Sequence, residues 1–188
     1  HNLGRVLPTI KSRCRKVLLN PLKTEEMKII LSKFDFNKDE VFMEEACYLS
    51  EGSVSRALQI LSGVGSDTIT EIVQLLGVNA LIDRNILEKI TDKWLRIGRK
   101  QDKDPVYNIL DFFIFWISKC LRDIAKQKSP PNQNNMSDIA CIRSLIDRLG
   151  MEELCDRLIK AQDILDNARN LNLDRKQIIY SVILTVAD

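Results

Sequence analysis

The sequence predicts an all-α protein, in which a small three-helix bundle is followed by a helical domain of about five to six helices. Apolar residues recur at helical spacing along almost the whole chain. The 188 residues include only 7 glycines and 5 prolines, whereas Leu, Ile, Lys, Glu and Asp are abundant, a usage typical of helical proteins. No alternating pattern longer than a few residues indicates a strand, and no internal repeat is found.

The first bundle is predicted from three short amphipathic segments. Thr24 is the expected N-cap of the first helix, whose first turn carries two glutamates that favour the helix dipole. The second helix is predicted over 39–50 and should end at Gly52, after which Ser53 caps the third. The inward-facing positions are Met27, Ile30, Leu31 and Phe34, then Phe42, Ala46 and Leu49, then Val54, Ala57, Leu58 and Leu61.

The larger domain begins after the break at 63–67, which is rich in glycine. Helices are predicted over 67–76 and 83–99. Asp104 followed by Pro105 is a strong helix start, because proline is favoured at the first helical position. The helix that it opens contains the apolar run 109–117, which is about half the ~20 residues that a membrane span requires. We therefore expect a buried helix at the centre of this domain.

The C-terminal part shows a polar loop over 129–135 and then three further helices. Ser137 is expected to cap the first of them and Gly150 to end it. Asp174 and Gln177 have the spacing of a capping box at the start of the last helix. A core position in a bundle is favoured over a coiled-coil partner for the intervening seam of Leu154, Leu158, Ala161, Leu165 and Ala168.

Composition excludes several classes of protein. The net charge is only +2 with 29% charged residues, so no strong overall attraction to nucleic acid or to an anionic membrane is expected. Five cysteines without a CxxC pair, together with a single histidine, argue against a metal site and favour a reducing, cytoplasmic compartment. No signal peptide is seen. The chain begins without methionine or a cap, so we expect a fragment that starts inside a larger domain.

Catalytic machinery is not evident. The sequence contains neither a GxxxxGK[ST] phosphate loop nor a GxSxG elbow, and its one histidine is residue 1, which argues against ordinary triads. Adjacent acidic pairs such as Glu44-Glu45 do not converge on one site when they lie on a helix. We therefore expect a chain that is not an enzyme on its own.

Two arginine-containing segments are the candidate functional sites. The first runs from Leu7 to Arg15 within a stretch that has six cations and no acid before Glu25. An arginine there could meet phosphate oxygens, although a solvated basic segment is the ordinary alternative. The second runs from Gly52 to Leu58. Arg56 points nearly opposite the apolar stripe of its own helix and should face whatever lies across from the bundle.

These segments resemble one family. Leu-Pro-Thr-Ile-Lys-Ser-Arg-Cys at 7–14 is similar to the Leu-Pro-Thr-Ile-Arg-Ser-Arg-Cys signature that closes the AAA+ core of bacterial clamp-loader subunits. The segment 52–58 resembles the sensor-2 segment of that family. The segment 168–177 resembles the C-terminus of the delta prime family of DNA polymerase III clamp-loader subunits. One departure is Lys11, which stands where arginine is usual and lacks its bidentate fork.

The resemblance implies a layout and roles for particular residues. Residues 1–14 would be the tail of the AAA+ core, 15–63 a three-helix lid, and 64–188 a collar domain. Arg13 would reach in trans into the ATP site of a neighbouring subunit, with Ser12 and Cys14 as its motif context. Arg56 would be a sensor-2-like cofactor-binding residue. No cofactor is expected on this chain, because ATP would lie in the neighbour.

The implied partners are the other clamp-loader subunits, namely the ATP-binding gamma/tau and the delta subunits, reached through the collar. The sliding clamp and primed DNA would be met through the whole complex during replication, and no membrane is expected. Two alternatives stay open: an ATP-hydrolysing subunit of the same ring, which an upstream phosphate loop would favour, or a generic helical protein-interaction module.

Overall fold

The structure is a computed structural model that describes residues 9, 12–15, 17, 20–34, 40–61, 65–76, 82–98, 105–127, 135–171 and 173–187. Within these residues it contains nine α-helices and no strand, so the predicted all-α class is confirmed. The helices are α1 (Thr24–Leu31), α2 (Glu40–Ser50), α3 (Val54–Gln59), α4 (Gly65–Leu76), α5 (Arg84–Gly98), α6 (Pro105–Ala125), α7 (Asn135–Leu149), α8 (Met151–Leu171) and α9 (Arg175–Ala187).

Helices α1, α2 and α3 each pack against the other two, and we call them the first bundle. Met27, Leu31, Ala46, Leu49 and Ala57 are buried at their shared core. The predicted Thr24 cap is wrong by one residue: Thr24 is already helical, and Lys23 precedes the helix with its backbone N–H donating to Glu26 Oε2 at 2.9 Å.

Phe34 was also predicted to face this core, but it is 46% exposed because α1 ends at Leu31. Ser53, in contrast, caps α3 as predicted: its Oγ accepts from the backbone N–H of Arg56 at 3.5 Å. The capping signals of this bundle are therefore more reliable at α3 than at α1.

Helices α4 to α9 form what we call the second bundle. Helix α6 contacts every other helix of this bundle, so the prediction of a central buried helix after Pro105 is confirmed. Its largest buried side chains include Phe113 and Trp116, and Trp94 of α5 is fully buried as well.

The long helix α8 packs against α6, α7 and α9. All five residues of its predicted seam are buried, so the seam belongs to the core of the bundle. Asp174 Oδ1 accepts from the backbone N–H of Gln177 at 3.0 Å, which confirms the predicted start of α9. The predicted Ser137 cap is wrong, because α7 begins earlier, at Asn135. Most of the predicted loop over 129–135, and Asp104 before α6, lie outside the described residues.

The described helices were also compared with the length and apolarity that a bilayer requires. None of them is both long enough and apolar enough to cross a membrane. Helix α6, with 21 residues, includes Asp111, Lys119, Arg122 and Asp123, which explains why its apolar run does not extend to a full span.

Candidate functional site

The described residues around Arg13 lie at the surface, whereas Leu7, Pro8, Ile10 and Lys11 of its motif lie outside the described residues. Ser12, Arg13, Cys14 and Arg15 are all exposed, and Ser12 Oγ donates a hydrogen bond to the carbonyl oxygen of Thr9 at 3.1 Å. This bond closes a local turn just before Arg13. Among the residues that the structure describes, no hydrogen bond or ion pair engages the Arg13 side chain. Its charge is therefore accessible to another molecule.

The chain between Arg13 and α1 is tied to the turn that precedes α3. The backbone N–H of Leu22 donates to the carbonyl oxygen of Gly52 at 3.2 Å. Gly52 has a φ of +77°, and a Cβ there would lie 2.6 Å from the carbonyl oxygen of Leu22. Only glycine fits this approach without a backbone shift. The chain just before α1 is thus held against the second arginine-containing segment by this backbone contact.

Arg56 faces the second bundle, as its position on the helix predicted. It is half-buried, and its guanidinium carbon lies 3.9 Å from the centroid of the Phe115 ring on α6. A guanidinium over an aromatic face is stabilised by the ring quadrupole and by stacking. In the described part of the chain, no carboxylate forms an ion pair with it. Arg56 thus contributes to a contact between α3 and α6.

A second contact joins α2 to α6 and was not predicted. Tyr48 Oη donates to Asp123 Oδ2 at 2.8 Å, and the same oxygen accepts from Lys119 Nζ at 2.7 Å. Lys119 Nζ also lies 3.7 Å from the centroid of the Tyr48 ring. Lys119 and Asp123 are only 3% and 8% exposed. Burial and the hydrogen bond to Asp123 together raise the pKa of Tyr48 well above its ordinary value.

A third contact is the ion pair between Glu51, at the end of α2, and Arg122 of α6, with 2.8 Å between Oε2 and Nη2. Glu51 has a φ of +49°, which is uncommon for a residue with a side chain. Its placement in the turn directs the carboxylate towards α6. We call the three contacts, made by Tyr48, Glu51 and Arg56 of the first bundle with α6, the joint.

One part of the joint could have been predicted from the sequence. Lys119 and Asp123 lie four residues apart within a helix that is otherwise apolar on most faces. A charged pair at this spacing in a buried helix indicates that the two groups neutralise each other. The partner residue Tyr48, which is 75 positions from Asp123, has no comparable local signal.

In the described part of the chain, no contact connects Arg13 with Arg56. In the same part of the chain, no group of three or more His, Cys, Asp or Glu side chains is placed to hold a metal ion. Cys14 and Cys155 are exposed thiols, whereas Cys47, Cys120 and Cys141 are buried.

The described residues define a class of architecture: a short three-helix bundle, preceded by the exposed Arg13 and Arg15, is joined to a larger helical bundle. Comparison with known proteins finds relatives of similar sequence. It is 29% identical over 114 residues to a replication factor C small subunit of Methanococcus maripaludis strain C7, and 30% identical to those of strains S2 and C5. Over 57% of its length, the chain is therefore a distant homologue of archaeal replication factor C small subunits.

These matches cover only part of each relative. The match covers 36% of each of these relatives, so the chain corresponds to about a third of their length. No protein-family model matches the chain. No solved structure matches it with significance.

Proposed function

We propose that this chain is part of a clamp-loader subunit that helps to load the sliding clamp onto primed DNA during replication. The homology to replication factor C small subunits supports this role. The Leu-Pro-Thr-Ile-Lys-Ser-Arg-Cys motif at 7–14 also supports it, since that motif resembles the end of the AAA+ core in clamp-loader subunits.

Within this family, we propose the delta prime subunit of the DNA polymerase III complex. The resemblance of 168–177 to the delta prime C-terminus supports this assignment. Such a chain would work in the cytoplasm without turnover of its own, and its partners would be the gamma/tau and delta subunits. An ATP-hydrolysing subunit of the same ring is the competing assignment. A GxxxxGK[ST] motif in the parent protein, upstream of residue 1, would favour the competitor.

Arg13 is the residue that we propose to act in trans, with ATP held by the neighbouring subunit. The observation that carries this role is its exposed side chain, which has no partner among the described residues and follows a turn closed by Ser12. A planar, permanent cation beside a γ-phosphate stabilises the charge that develops during phosphoryl transfer. The sensor-2-like role of Arg56 stays a prediction, since its guanidinium is stacked on Phe115.

The test uses the full-length parent protein reconstituted with its ATP-binding and clamp-opening partners. We expect Arg13→Ala to lower the ATPase rate that clamp and DNA stimulate by a factor on the order of 10³, because arginines supplied in trans have effects of this size. Arg13→Lys should recover little of the rate, since lysine lacks the bidentate fork. Ring assembly should be unchanged in both variants.

Arg15→Ala is the matched control, because Arg15 is also exposed and lies two residues further along the same segment. It should retain nearly the full rate. Equal losses of ATPase rate for Arg13→Ala and Arg15→Ala would show that the segment acts only through its general positive charge and that Arg13 has no specific role. If the wild-type protein forms no ring with these partners, the clamp-loader proposal itself is wrong.

A further inference from the structure

A groove runs along the second bundle between α6 and α8 and continues beside α3. It consists of two cavities of about 490 and 480 Å³, which share Ile114, Ser118, Arg122 and Gln162 in their walls. The lining residues of α6 extend from Asp111 to Ala125. At 1.5 Å per residue this is a length of roughly 21 Å, or about four turns of a helix.

One half of the groove is apolar. Its walls include Leu121 of α6 and Met151, Leu158 and Ile159 of α8. Ile159 is 62% exposed, although it adjoins the buried seam position Leu158. The core of the bundle therefore does not require Ile159. A contiguous apolar wall that includes an exposed side chain such as Ile159 is typical of a surface that another protein covers, whereas a single exposed apolar residue is not.

The other half carries an uncompensated positive charge. Arg56 and Arg122 both line it. Arg122 pairs with Glu51, and Asp111, the carboxylate in this half, pairs with Arg169. Within the described residues, Arg56 has no carboxylate partner, so the net charge offered to a ligand at this end is positive. A carboxylate is the complementary group.

We propose that this groove docks an amphipathic helix of a partner protein, with apolar side chains in the half between α6 and α8 and a carboxylate beside Arg56. This mode of recognition places one apolar face of a helix into a groove. Among the described residues that line the apolar half, Arg122 is the only cation. Nucleic acid requires cations along its whole backbone and therefore fits poorly. The proposal goes beyond the clamp-loader role and does not depend on Arg13.

The test uses a fluorescein-labelled synthetic helix of about four turns, with a leucine stripe at spacings of four and three residues and glutamates at both ends. A second peptide has glutamine in place of each glutamate. Binding of both peptides to the full chain is measured by fluorescence anisotropy. We expect the glutamate peptide to bind about tenfold more tightly, because charge-assisted hydrogen bonds to arginine are stronger than neutral ones. Arg56→Gln should abolish this preference and leave the affinity for the glutamine peptide nearly unchanged.

Ile159→Glu should weaken binding of both peptides by about tenfold or more, since it places a charge in the apolar half. Ile29→Glu is the matched control: Ile29 is 63% exposed on α1 and does not line the groove. Arg96→Gln, on the exposed surface of α5, is the control for loss of one positive charge away from the groove. Both controls should bind as the wild type does.

The two exposed thiols locate the bound peptide. Cys155 lines the apolar half, whereas Cys14 lies in the N-terminal segment. We expect saturating glutamate peptide to slow alkylation of Cys155 by iodoacetamide about tenfold or more, as judged by mass spectrometry, and to leave Cys14 unchanged. A wild-type chain that binds neither peptide overturns the proposal, as do equal affinities of the Ile159 and Ile29 variants. Displacement of the peptide by an oligothymidylate would also overturn it, because the groove would then bind nucleic acid.

Discussion

Helix α6 is held in two different ways on its two sides. Towards the second bundle it buries Phe113, Trp116 and Ile117 among other apolar side chains. Towards the first bundle it presents Phe115, Lys119, Arg122 and Asp123, which contact a few polar or charged side chains. The apolar side depends on buried area, which is tolerant of the exact partner, whereas the joint depends on a few groups that must be paired. The second bundle should therefore be stable by itself, and the joint should determine how the first bundle sits on it.

The largest effect is expected in the apolar core. Phe113→Ala should lower the free energy of unfolding by about 3–5 kcal/mol, because it removes a fully buried ring and leaves a cavity. Chemical denaturation of the purified chain measures this loss. Phe34→Ala is the control, since Phe34 is 46% exposed, and it should cost less than about 1 kcal/mol. Similar losses for the two variants would contradict the description of α6 as the centre of the core.

The next effect tests the joint. Asp123→Leu should destabilise the chain by about 3 kcal/mol, because Lys119 would stay buried without its partner. The double variant Lys119→Met with Asp123→Leu removes both charges and should recover most of that loss. Chemical denaturation again measures both values. A double variant that is less stable than Asp123→Leu alone would mean that the two charges do more than neutralise each other. The claim that the joint depends mainly on pairing its charged groups would then be wrong.

Two glycines with positive φ, one in each bundle, allow the cost of adding a Cβ to be compared. Gly52→Ala should cost about 2 kcal/mol or more, since a Cβ would collide with backbone atoms of Leu22 in addition to the strain of a φ of +77°. Gly150, between α7 and α8, has a φ of +85°, but a Cβ there meets nothing within 4 Å. Gly150→Ala should therefore cost only about 1 kcal/mol.

Thermal and chemical denaturation of both glycine variants measure this difference. Equal costs would mean that the segment before α1 moves away from Gly52 without loss.

The difference between the two sides of α6 also explains what the sequence predicted. The helices and their cores follow from apolar periodicity, which is local, so the α8 seam and the start of α6 at Pro105 were predicted correctly. A helix start is set by the first few residues alone and is harder to place by a pattern of apolar residues. Helices α1 and α7 begin at Thr24 and Asn135, before or at the caps expected there, whereas Ser53 and Asp174 accept the predicted hydrogen bonds.

The candidate site was predicted only in part for the same reason. The direction of Arg56 followed from the geometry of its own helix, but its contact with Phe115 depends on packing between distant segments. Tyr48 and Asp123 are 75 residues apart, and no periodic pattern connects them. Arg13 was found through a motif, and its exposure is what a role on another subunit requires.

The smallest expected effect concerns pH and the Tyr48 hydroxyl. Tyr48→Phe should cost about 1 kcal/mol at neutral pH, because it removes a hydrogen bond to Asp123. The pKa of Tyr48 is raised in the folded chain above the value of about 10 that an unfolded tyrosine has. Between these two pKa values the unfolded chain releases the phenol proton while the folded chain keeps it. The stabilisation from the protonated phenol is thus complete below about pH 10 and is lost as the pH rises towards the folded pKa.

The free energy of unfolding, measured below and above about pH 10 for both proteins, checks this dependence. It should fall more steeply with rising pH for the wild type than for Tyr48→Phe. Parallel slopes would show that the phenol is solvated and that α2 meets α6 without this bond.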